Sequence, residues 1–170
     1  MGHKNIIMNN GTPFQQVAIK PHWMQFCIGQ LHWMLLCAAL FIAYLMTSFM
    51  FHEVMAYLAI GIFIYLLLEM LSMSRIEYVV TGEQIIYLHG LICHQTDYME
   101  LYRVIDYQQH RSLMQQITGL KTITIMSGDR NLPNLDIIGV KEDEDVVQEI
   151  RKRVEYNKKL KSIYEITNRL

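Results

Sequence analysis

Residues 21 to 68 contain a single charged residue, Glu53, and that silence constrains the fold more than any other feature. Two apolar runs lie within and just beyond it. The first is Trp33 to Phe51; the second is Val54 to Met73, interrupted only by Glu69 and Ser72. Each approaches the ~20 residues that cross ~30 Å of hydrocarbon as a helix. Only His52 and Glu53 separate them, so the runs predict a tight antiparallel transmembrane hairpin. The turn carries no Lys or Arg, whereas Lys4 and Lys20 precede the first run and Arg75 follows the second. The positive-inside bias therefore places both termini in the cytoplasm. Trp23 and Trp33 flank the entry, where indole rings favour the interface. The mixed, polar start does not read as a cleavable signal peptide, so the helices are expected to persist.

A hairpin of this kind leaves polar groups with too few partners. Gln30, His32, Thr47, Ser48 and Glu69 would all lie at membrane depth, where partners from other copies or a water-filled lumen would satisfy them. Ala39, Ala43 and Thr47 recur every four residues, a small-xxx-small stripe that lets helix backbones approach closely. The stripe suits a homo-oligomer, or packing against the second helix of the same chain. Phe41 points elsewhere.

From Arg75 the period changes. Ile76 to Val80 and Gln84 to Leu88 are short β-branched and aromatic runs around the turn Thr81-Gly82-Glu83. Gln95 to Leu101, Val104 to Arg111, Thr122 to Met126 and Leu135 to Val140 continue the series. A segment starting near Glu142 turns helical, with Val146, Val147, Ile150 and Val154 at helical spacing. Acidic residues open it and basic ones follow, as the helix dipole favours.

Several of these strings carry a family. Tyr78-Val79-Val80-Thr81-Gly82-Glu83-Gln84-Ile85, Gly90, Leu101-Tyr102-Arg103-Val104-Ile105-Asp106 and Ser112-Leu113-Met114-Gln115-Gln116-Ile117-Thr118-Gly119 resemble the bacterial pleckstrin-homology-like domain, in the membrane-associated type that follows two transmembrane helices. The likeness covers roughly residues 55 to 155 and departs from the family where Gln116 replaces a frequent Arg. It implies a PH-like β-sandwich, or partly open barrel, capped by a C-terminal helix. The expected organisation is an interfacial arm over 1–31, the hairpin over 32–73, the PH-like domain over 74–157 and a basic tail over 158–170. The expected location is the bacterial inner membrane.

Candidate chemistry is sparse. Arg103 and His110, separated by six residues, match the R-x4-6-H spacing of a class of helical ribonucleases. On one regular strand their odd offset turns the side chains to opposite faces, so convergence on a phosphate would need a bulge. His89, Cys93 and His94 lack a fourth ligand at a useful spacing, and structural zinc wants four. The echo of His22-Trp23-Met24 in His32-Trp33-Met34, each with a cysteine five residues after its histidine, scatters its side chains around a helix. Asp143, Glu144 and Asp145 sit where a helix N-terminus welcomes carboxylates. Three cysteines without a CxxC pair fit reduced thiols. No catalytic residue, metal or cofactor is expected, and a net charge of -1 does not suggest nucleic acid. Lys158, Lys159 and Lys161, interleaved with apolar residues of the tail, could meet anionic lipid or a neighbouring subunit.

Three functions compete. The first is a non-enzymatic membrane assembly displaying a cytoplasmic PH-like domain and, as a ring, forming a pore. Its plan resembles the membrane accessory proteins beside type VI-B CRISPR effectors, whose divergent R-x-H motif only Arg103 and His110 match here; that resemblance implies antiviral defence. The second is a membrane-tethered scaffold binding a cytoplasmic protein or lipid head group. The third is an RNA-cleaving effector using Arg103 and His110.

Overall fold

The computed structural model describes residues 13–46 and 52–161. Two antiparallel sheets face each other. The first takes β1 (Val17–Ile19), β2 (Glu77–Val80), β3 (Gln84–His89) and β4 (Gln95–Glu100) in that order across the sheet. The second takes β5 (Val104–His110), β6 (Leu120–Ser127) and β7 (Asn134–Lys141). Three helices, α1 (Trp23–Gly29), α2 (Leu31–Met46) and α3 (His52–Ser74), come between β1 and β2. A short α4 (Leu113–Thr118) joins β5 to β6, and α5 (Val146–Leu160) closes the domain.

The strand runs read from the sequence all form strands, because alternate residues meet one core. Tyr78, Val80, Ile85 and Met99 of the first sheet are buried with Ile123, Ile125 and Ile137 of the second, beneath Ile150 and Val154 of α5. Asp145 caps α5 by accepting a hydrogen bond from the Gln148 amide, so the acidic cluster ends as a helix start. PH-like sheets with a C-terminal helix are thus present, as the family resemblance implied.

The arm over 1–31 needs correction. Ile19 is buried and pairs with Tyr78, while Val17 pairs with Val80, so β1 is an edge strand of the sandwich. The helical segment is therefore an insertion within the sheet, entered from β1 and left into β2. Two side chains of α5 fasten this arrangement. Buried Arg153 donates to the Gln15 carbonyl (2.7 Å) and to Glu149 Oε1 (2.6 Å), with its guanidinium over the Phe14 ring. Asn157 donates to the Gly82 carbonyl at 2.6 Å, holding the β2–β3 turn.

Glu53–Ser74 is long and apolar enough to cross a membrane on its own. Of the first run only the part through Met46 is described, and among the described residues it does so jointly, as α1 plus α2 bent by 68° at Gln30. Residues 47 to 51 lie outside the described residues, and with them Thr47 and Ser48. α2 and α3 pack antiparallel, with Trp33 against Tyr65 (ring centroids 5.8 Å) and the Cys37 thiol reaching the Ala59 carbonyl (3.6 Å).

Candidate functional site at the helix–sandwich junction

The helical insertion is anchored where α1 crosses the second sheet. His22 caps α1 by accepting from the Met24 amide (3.3 Å), and its own amide donates to the Gly139 carbonyl (3.0 Å). Gly139 has φ +66°, and a Cβ there would stand 2.9 Å from Gln25 Cβ. Glycine is required twice over, for the left-handed backbone and for the approach of α1 to β7.

From the other side α4 holds Gln25. Ser112 and Gln115 form a capping box: the Ser112 hydroxyl accepts from the Gln115 amide, and Gln115 Oε1 accepts from the Ser112 amide. Gly119, left-handed at φ 66°, ends the helix. Gln115, 3% exposed, spends its remaining donors on Gln25 Oε1 (2.9 Å) and Thr122 Oγ1 (2.8 Å). One amide therefore locks α1, α4 and β6 together. The capping-box spacing Ser112-x-x-Gln115, with Gly119 behind it, is the signal in the sequence that marks this helix.

Beside this lock a cavity of about 220 Å³ opens between α1, the last turns of α3 and β7. Gln30 and Glu69 both line it, so two of the expected intramembrane polar residues are brought together. Gln30 Oε1 is buried and accepts no hydrogen bond among the described residues. Glu69 brings a carboxylate to this lining, which suits a hydrogen-bond donor such as water or an ammonium, whereas Gln30 Oε1 itself is closed off from solvent.

The remaining expected residues are dispersed. His32 is exposed on α2, its ring against Trp33. Ala43 is half-buried with Trp33, Cys37 and Leu40 in the row turned to α3, whereas Ala39 is exposed. Phe41 lines the groove between α2 and α3. Lys159 is exposed, Lys158 half-buried, and Lys161 lies 3.8 Å over the Tyr102 ring.

Arg103 ends the 3-10 turn Leu101–Arg103 just ahead of β5 and His110 is the last residue of the strand, so they stand apart for a reason other than the parity expected. A bulge between Val104 and Asp106 shifts the register, so the parity rule for a regular strand does not hold along β5. Distance separates the pair instead, since a strand from Val104 to His110 spans about 20 Å at ~3.3 Å per residue. Arg103 is engaged locally, with Nε donating to the Tyr102 hydroxyl (3.0 Å) and a terminal nitrogen 3.3 Å from Asp129. The Tyr102 hydroxyl, with Asp129 behind it, holds the guanidinium pKa above its ordinary value. His89 stacks on Tyr87 and hydrogen-bonds Gln95 through Nε2 (2.9 Å), while Cys93 and His94 are exposed. The His89 Nδ1 to Asp97 separation of 3.8 Å is too long for a hydrogen bond, and that nitrogen has no hydrogen-bond partner among the described residues.

No curated protein and no solved structure gives a significant match to this chain. The family model of the bacterial PH domain matches residues 31–154, which takes in α2, α3 and the sandwich through β7 into α5 and leaves β1 and α1 ahead of it. The chain belongs to the bacterial PH domain family.

Proposed function

We propose that this protein is a non-enzymatic membrane scaffold. α2 and α3 cross the bacterial inner membrane as a hairpin, and the PH-like sandwich is displayed on the cytoplasmic side to a protein partner. One observation carries the reading. The apolar core of α3 has a mean hydropathy of 2.2, yet only 6% of that stretch is buried inside the fold. A core helix of a water-soluble domain hides such a surface, and α2 is likewise without a fully buried residue. Hydrocarbon is the solvent that removes the cost. Because the hairpin is inserted between β1 and β2, both of its ends are fastened to the sheet. The domain is held in a fixed attitude to the bilayer rather than swinging on a single linker. Extraction of membranes with alkaline carbonate tests this: the chain stays in the pellet, and release to the supernatant would refute it.

The second reading is self-assembly through the helices, as a homo-oligomer and ultimately a pore in the manner of the type VI-B accessories. The exposed apolar flank of α2 favours it, since a neighbouring copy could pack there. Ala39 is the stripe residue open to such a neighbour, and Ala43 is not. Mass photometry in detergent separates the two readings. Under self-assembly Ala39→Leu shrinks the particle; a wild-type monomer removes this reading. Dye-loaded vesicles that leak only with the oligomer would add the pore.

A further inference from the structure

We propose that α4 is a membrane-surface foot, seated in the headgroup layer beside the entry of the helical hairpin; this rests on the membrane-spanning reading of α2 and α3. The observations begin with a contradiction. A six-residue helix on a folded domain turns Leu113 (74% exposed), Met114 (46%) and Ile117 (79%) outward, while its one buried side chain is the amide Gln115. Single exposed apolar residues are ordinary, but three on one short helix form a patch that needs an occupant.

The position of α4 names the occupant. Gln115 hydrogen-bonds Gln25, so α4 is fixed to α1, and the end of α4 shares a groove with His22 and Met24 at the start of α1. α1 bends 68° from α2. If α2 crosses the bilayer, α1 leaves the crossing direction and runs along the surface, with Trp23 (68% exposed) at its outer end. The apolar side chains of α4 therefore stand beside a surface helix, at the level of an interfacial tryptophan. The immediate rim carries no basic excess: exposed Lys141 borders the groove beside Glu142 and Asp143, and Arg111 is paired with Glu142. Attraction to anionic lipid does not seat the foot, so it holds on neutral phosphatidylcholine and at high salt.

The test places one tryptophan at a time in the full chain, in a Trp23→Phe, Trp33→Phe background, reconstituted in vesicles of brominated phosphatidylcholine. Ile117→Trp is expected to lose about half its emission to bromines near the headgroup end of the acyl chains and little to bromines at the chain ends. Phe63→Trp, in the middle of α3, is the control that deep bromines should quench. If Phe63→Trp is not quenched, the spanning reading itself fails. If it is quenched while Ile117→Trp stays open to aqueous iodide, the foot alone is wrong. An Ile117→Trp shielded from both bromine and iodide points to a protein on α4, a second copy included, and also overturns the proposal. Ile117 is largely exposed, so the substitution leaves the fold intact.

Discussion

Replacing Gln115 with leucine removes the amide that locks the helical insertion to the sandwich while keeping the side-chain volume similar. The Gln115 side chain makes three hydrogen bonds, accepting from the Ser112 amide within its own capping box and donating to Gln25 Oε1 and Thr122 Oγ1 outside it, at 3.0, 2.9 and 2.8 Å. An intramolecular hydrogen bond contributes a net 0.5–1.5 kcal/mol, so the three together are worth roughly 3 kcal/mol. Thr122 is buried and loses its partner outright, whereas half-buried Gln25 recovers part of its loss from water. The expected loss for Gln115→Leu is therefore about 2–3 kcal/mol. Urea unfolding of the detergent-solubilised full chain, followed by the near-ultraviolet signal of the core tyrosines, measures it. A double-mutant cycle with Gln25→Ala isolates the α1–α4 bond, with an expected coupling of about 1 kcal/mol. A Gln115→Leu loss below about 0.5 kcal/mol, the range of an ordinary surface change, would refute the reasoning. So would a cycle with no coupling.

Four further outcomes follow from the same contacts. Gly139→Ala forces a side chain into the left-handed region and against Gln25, costing about 1–2 kcal/mol from the backbone alone; the melting temperature should fall and Trp23 emission should report loosened α1 packing. Arg153→Met keeps the buried stem but loses the charged donor to the Gln15 carbonyl, for about 2 kcal/mol; proteolysis ahead of β1 should quicken, and an unchanged cleavage rate would contradict the clamp. Burial pushes the Tyr107 hydroxyl up to about 12 and that of Tyr78 higher still, so both contribute fully below pH 10; above it the unfolded chain ionises first, and the denaturant midpoint should fall between pH 10 and pH 12. A preparation purified free of contaminating nuclease should leave RNA intact, and cleavage abolished by both Arg103→Ala and His110→Ala would overturn the separation of those residues along β5.

Much of the sandwich was legible because each strand carries its own pattern. β2 to β7 read as β-branched runs between turn residues, and α5 read from Val146, Val147, Ile150 and Val154 at helical spacing. β1 was not legible. Three residues, Val17 to Ile19, carry no periodicity, and they become a strand only by pairing with Val80 to Tyr78 across the whole helical insertion. The bulge after Val104 was equally invisible, since its cause is the register with β6 rather than any residue type. The junction was half legible. Gln30 and Glu69 stood out as polar residues in apolar surroundings, but their meeting at one cavity depends on the turn of α1 at Gln30. Gln115 could have been found from its capping-box spacing, although its bond to Gln25 spans ninety positions and has no local signature.

The central claim is that a membrane-crossing hairpin is inserted between two strands of a cytoplasmic sandwich, and labelling of single cysteines from outside the cell tests it most directly. With Cys27, Cys37 and Cys93 replaced by serine, one cysteine is introduced at His52, at the start of α3, and in a second variant at Gly128, in the exposed turn after β6. A membrane-impermeant maleimide is predicted to label His52→Cys in intact cells, and Gly128→Cys only after the inner membrane is permeabilised. Labelling of both variants in intact cells, or protection of His52→Cys until permeabilisation, would contradict the account.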